Sequence, residues 1–84
     1  MRREMNLIRM ILEYVEEKQV NSNSVPVPEF PDYRNCVVEY HVLLCREAGY
    51  LDVGVQGRSP KGIFRMTWAG HEKLDAMRAG EISN

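Results

Sequence analysis

Residues 38–51, VEYHVLLCREAGYL, decide how this chain folds. Val38, Val42 (or His41), Cys45 and Ala48 recur at helical spacing with Leu44 beside them, which sets one apolar face. Gly49 follows the last of them. A residue in the left-handed conformation closes many helices, and glycine reaches it without a Cβ clash. Tyr50 and Leu51 then fold back as the apolar contact that seals such an end. The spacing predicts a helix over 34–48 that passes at once into a strand.

Downstream, Leu51, Val53 and Val55 alternate with Asp52, Gly54 and Gln56, the period of a strand. QGRSPKG (56–62) carries Gly57, Pro60 and Gly62 and is expected to be a turn or short wing. Phe64, Met66 and Trp68 alternate with Arg65 and Thr67 and supply the return strand near 63–67. Thr67 then caps a last helix, 68–79, with Leu74 and Met77 toward the core and Gly80 ending it. Gly70 inside that helix costs about 1 kcal/mol against alanine, so close packing there is expected.

Upstream, Met5, Ile8, Ile11, Leu12 and Val15 form one stripe of a helix over 3–18, with Arg9 and Glu13 as an i,i+4 ion pair on its polar side. Leu7, Met10 and Tyr14 widen its apolar arc, so the helix packs on two sides within one chain or also between subunits. NSNS (21–24) is a loop. VPVPEFP (25–31) holds Pro26 and Pro28, which remove ladder donors, so Val25–Val27 is at best a marginal edge strand. Asp32 is placed to cap the central helix. The pattern describes a single α+β domain over 1–84, winged-helix-like, with three helices and a small antiparallel hairpin.

Composition narrows the function classes. With 84 residues the core is thin, since a chain this short buries only roughly 60–65% of its unfolded surface, and a homodimer is one way to bury more. The net charge of −1 provides no general field for nucleic acid or membrane. Cys36 and Cys45 stand about two and a half helical turns apart, too far for a disulfide, and free thiols suit a reducing cytoplasm. The longest apolar run, Val42 to Cys45, spans no membrane.

No residue set announces a reaction. His41 and Cys45 share a face, but no further Cys or His pair completes a metal site, and His41 reads as a hydrogen-bonded core histidine. His71 lies one turn from Trp68, near Glu72 and Asp75, without a nucleophile or a phosphate loop, and both rings are expected to pack on the first helix. No catalytic residue, metal, cofactor or small-molecule substrate is expected, and the chain is read as not an enzyme.

Two residue sets remain for binding. Charge is −2 over residues 19–51 and +2 over 52–70, so the basic footprint is Arg58, Lys61 and Arg65 in the hairpin. The central helix carries Glu39 and Glu47 outward, which phosphate repels, and the proline-rich stretch leaves little room for the preceding helix of a helix-turn-helix. Leu7, Met10, Tyr14, Tyr40 and Leu43 are the set that a protein interface would use.

The segment Val38-x-x-His41-Val42-x-x-Cys45-Arg46-Glu47-Ala48-Gly49-Tyr50-Leu51 and the hairpin exit Phe64-Arg65-Met66-Thr67-x-x-Gly70 resemble arsenic-repressor-type winged-helix regulators. Over nearly its whole length the chain is similar to an uncharacterised family of small bacterial and prophage proteins. That resemblance is carried by Met1-Arg2-Arg3-Glu4-Met5-Asn6-Leu7-Ile8-Arg9, by Tyr40-His41-Val42, and by the closing Arg65-Met66-Thr67-Trp68-Ala69-Gly70-His71-Glu72-Lys73-Leu74-Asp75. The proline-rich 25–31 segment departs most from the pattern. The resemblance implies a winged-helix-like fold and no established activity. The leading expectation is a regulatory module that contacts double-stranded DNA. The alternative is a protein-interaction or dimerisation module, of phage or mobile-element origin, without DNA binding.

Overall fold

A computed structural model describes residues 2–19 and 24–82. The order is helix α1 (Met5–Lys18), helix α2 (Asn35–Glu47), strands β1 (Leu51–Gln56) and β2 (Ser59–Met66), and helix α3 (Trp68–Ile82). This is the expected α+β arrangement of three helices and a two-stranded antiparallel sheet, and its order is consistent with a winged-helix-like domain.

The helix end at Gly49 closes as its sequence requires. Gly49 has φ of +82°, the Tyr50 N–H reaches the Cys45 carbonyl at 2.8 Å, and the Gly49 N–H reaches that of Arg46 at 3.0 Å. Those two bonds are the Schellman pair, which satisfies carbonyls left over at a helix C-terminus. Ala48, placed on the core face by spacing, is exposed instead, because it occupies the C-cap position beyond the last packed turn. Asp32 does not cap α2; Arg34 holds the N-cap position, and its carbonyl accepts from Val37 and Val38.

The core joins Leu7, Ile8, Ile11, Leu12 and Val15 of α1 to Val38, Val42 and Cys45 of α2, to Leu51, Val53, Ile63 and Met66 of the sheet, and to Leu74 of α3. Two neighbouring stripes of α1 are therefore covered within one chain. Met5, at the end of its stripe, is 40% exposed. His41 is fully buried and fully used: Nδ1 lies 2.8 Å from the Val37 carbonyl, and Nε2 accepts the Glu4 N–H at 2.9 Å. A carbonyl only accepts, so the proton sits on Nδ1. The ring thus fastens α2 to the start of α1.

Thr67 caps α3 as expected. Its Oγ1 accepts the Gly70 N–H at 3.1 Å and donates to the Gly49 carbonyl, so the two helix ends share one hydroxyl. A Cβ at Gly70 would stand 2.3 Å from the Tyr50 carbonyl oxygen and 2.5 Å from Met66 Cγ, which is why glycine sits inside this helix. α3 continues past Gly80 to Ile82, because Gly80 is not among the glycines with positive φ. Trp68 and His71, expected against α1, face solvent instead; α3 meets α1 through Leu74, Met77 and the Arg78–Glu16 pair at 2.8 Å.

The expected third strand shrinks to one bridge, Val25 with Ile63, whose two N–H···O bonds are each 2.7 Å. Prolines at 26 and 28 prevent its extension. Gln19 covers more of the same edge with its side chain: Oε1 accepts the Met66 N–H at 3.1 Å and Nε2 donates to the Phe64 carbonyl. The rest of the 25–33 segment crosses α1 and sets Phe30 edge-on to Tyr14, with ring centroids 6.4 Å apart. Residues 24–33 form no helix, and the 21–23 part of the expected loop lies outside the described residues.

Candidate nucleic-acid interface

The hairpin departs most from a simple alternating pattern, and the departure builds its outer face. Its turn is Gly57-Arg58 alone, with Gly57 at φ +64°, so 59–62 is strand rather than turn. A glycine at the first central position of a two-residue loop matches the twist of the flanking strands. The register runs Leu51 to Met66 and Asp52 to Arg65, then slips to Val53–Ile63 and Gly54–Gly62, and slips again to Val55–Pro60. Phe64 and Lys61 are the two extra residues.

Each bulge adds one residue between inward positions. The buried residues of β2 are consequently Pro60, Ile63 and Met66, three apart rather than two. Phe64, which alternation places on the same face as Met66, is 56% exposed on the outer face. Proline lacks a ladder donor and is accepted beside a bulge, while paired glycines give the backbone room to bend. Pro60, Gly54 and Gly62 were the available signal for this geometry.

The three basic residues do not form an equal set. Arg65 faces Asp52 across the ladder, Nε to Oδ2 2.8 Å, so its charge is largely offset. Arg58 at the turn and Lys61 at the bulge are exposed and make no ion pair among the described residues. Both stand where phosphate could approach without displacing a carboxylate.

The outward side of α2 holds no such cations. Glu39 is half-buried and Glu47 exposed, while Arg46 turns back to donate from Nε to the Val53 carbonyl at 3.3 Å. Tyr40 is 36% exposed and stands edge-on to His41, and Leu43 is half-buried. Among the residues expected at an interface, Leu7 is fully buried in the core and lies beyond a partner's reach. Tyr14 is half-buried against Phe30 and the core, so Tyr40, exposed, with Met10 and Leu43, both half-buried, are what remains of that set.

Cys36 and Cys45 are both free thiols on α2. Burial pushes the Cys45 thiol up to about 12, so it stays protonated at neutral pH and is a poor nucleophile. It borders an open pocket of about 340 Å³ between the three helices, which Arg3, Glu47 and Lys73 rim and Ile8, Leu44 and Tyr50 help to line. No helix among the described residues is long and apolar enough to cross a membrane.

The chain belongs to the family described as Hypothetical protein (DUF2513), whose model matches residues 2–83. No curated protein and no solved structure matches the chain.

Proposed function

We propose that this member of the family is a non-enzymatic, winged-helix-like regulatory module of the cytoplasm that contacts nucleic acid through its β1–β2 hairpin. The observation that carries the reading is the pair of exposed cations, Arg58 and Lys61, gathered on one hairpin without carboxylate partners among the described residues, on a chain whose net charge is −1. Three arginines face carboxylates, Arg9 with Glu13, Arg65 with Asp52 and Arg78 with Glu16, while Arg2, Arg3, Lys18, Arg34 and Lys73 stand on or beside the helices rather than on the hairpin. Phosphate contacts through two side chains position a protein on nucleic acid but read no sequence. The role of α2 in this account is structural, because its outward carboxylates oppose groove entry.

Salt dependence tests the reading. Neutralising two phosphates gives a log–log slope of about −1.8 per chain on duplex DNA, at −0.9 each. Replacing Arg58 and Lys61 by alanine is expected to flatten that slope toward zero and to weaken all duplex sequences alike. A slope unchanged by the double substitution, or no binding in low salt, refutes the reading.

A second reading, a protein-interaction module, is favoured by one observation. Trp68 is 81% exposed at the start of α3, and tryptophan is a frequent interface anchor. A homodimer joined through Tyr40 and Leu43 would unite the two readings by presenting two hairpins.

A further inference from the structure

The outer face of the hairpin carries an exposed aromatic ring, Phe64. Phe64 is placed there by its bulge, and its ring leans across the adjacent strand onto Gly54. A Cβ at Gly54 would stand 3.1 and 3.2 Å from the ring's Cζ and Cε2, tighter than ordinary contact, so glycine is what lets the ring rest there. Gly54 is paired with Gly62, so neither strand places a side chain on the outer face at that level, and Ser24 borders Gly62 from the adjoining segment. The far edge of the ring, Cζ and Cε2, therefore lies over Gly54, and the residue keeps 56% of its surface open to solvent.

The surroundings select the ligand. Asp52, Lys61 and Arg65 share this outer face, and Arg58 stands at its tip. A protein hot spot is expected inside a continuous apolar patch, whereas the hairpin residues that share this face with Phe64 are glycines and charged side chains. An exposed aromatic ring beside cations that make no ion pair among the described residues is instead the arrangement that receives a base and its phosphates. Bases within a duplex are covered on both faces, so the partner must carry an unpaired one.

We propose that Phe64 is a stacking platform for one base of a single-stranded nucleic acid, with Lys61 and Arg58 holding the flanking phosphates. The inference rests on the nucleic-acid reading of the hairpin and names its substrate class. The full chain is titrated with a short oligo-thymidine strand carrying one fluorescent purine analogue whose emission stacking quenches, and with a blunt duplex of equal length. Wild type is expected to bind the strand and quench the analogue. F64L is expected to weaken strand binding about 5- to 100-fold and abolish the quenching, leaving the salt slope and the duplex affinity unchanged. F64W is expected to restore both signals. Phe64 is mostly exposed, so these variants should keep the wild-type thermal midpoint. If F64L binds and quenches as wild type does while R58A/K61A loses affinity, the platform is refuted and the nucleic-acid reading survives. Equal losses on strand and duplex also refute the platform. If neither strand nor duplex binds wild type in low salt, both proposals fall together.

Discussion

α2 and the β1–β2 hairpin are the two elements a winged-helix-like domain would offer to nucleic acid, and they deploy their side chains in opposite ways. α2 turns its chemistry inward. His41 uses both ring nitrogens on backbone groups, Cys45 is sealed, and Arg46 is tied to Val53. The hairpin turns its chemistry outward, since two bulges place Lys61 and Phe64 on the solvent face and leave Arg58 at the tip. The contrast teaches that partner availability, rather than position in a familiar fold order, separates a scaffold element from a contact element. Substitutions in the helical half should then change stability and spare binding, and those on the hairpin's outer face should do the reverse.

The largest stability effect is expected at Gly70. Any Cβ there meets the Tyr50 backbone at 2.3 Å, and backbone cannot swing aside as a side chain can. Gly70→Val should cost at least about 3 kcal/mol, near the upper range for overpacking, and a 9.7 kDa domain carries little reserve. Urea denaturation measures it. A midpoint within error of wild type would show that the α3–hairpin junction is looser than described.

His41→Leu comes next. It keeps the volume roughly but deprives the Glu4 N–H of its acceptor and the Val37 carbonyl of a donor, at about 2 kcal/mol. The same variant should bind oligonucleotide as wild type does, at temperatures where it remains folded. Loss of binding by a folded His41→Leu would blur the distinction between α2 and the hairpin.

Cys45 supplies the pH dependence. Its folded value, about 12, lies above the 9.0 of an ordinary thiol, so the unfolded state releases the proton first. The stability this burial contributes is complete below pH 9 and is lost as pH rises toward 12, at most about 1.4 kcal/mol per pH unit. In a thiol assay at neutral pH, the exposed Cys36 should react promptly and Cys45 only on unfolding. Fast labelling of both would contradict the packing of α2.

Much of this was legible in the sequence. The 3.6-residue period located α1 and α2, and Gly49 with Tyr50 identified a helix stop that the Schellman bonds complete. Thr67 and Gly70 announced a cap and a close approach. The hairpin face was not legible by the same means. A period of two puts Phe64 on the same face as Met66, and each bulge breaks that period, so Met66 is buried and Phe64 faces solvent. Trp68 and His71 are expected to pack on the first helix, whereas Trp68 stands 81% exposed at the start of α3 and Leu74 is the buried residue of that helix. Counting cations also overstated the footprint, since the Arg65–Asp52 pair depends on register. Leu7 was over-read in the other direction: α1 is covered on two sides, and a surplus apolar residue belonged to the second.

The smallest effect on stability is expected from Arg58→Ala with Lys61→Ala, within about 0.5 kcal/mol because both side chains are exposed and neither makes an ion pair among the described residues. The contrast between the two elements is tested most directly by mapping where an oligonucleotide lands on the amide spectrum of the wild-type chain in low salt. The account predicts shifts at Arg58, Lys61, Gly62 and Phe64, with Tyr40, Leu43 and Glu47 unmoved. Shifts that run along the outward side of α2 and leave the hairpin unchanged would contradict it.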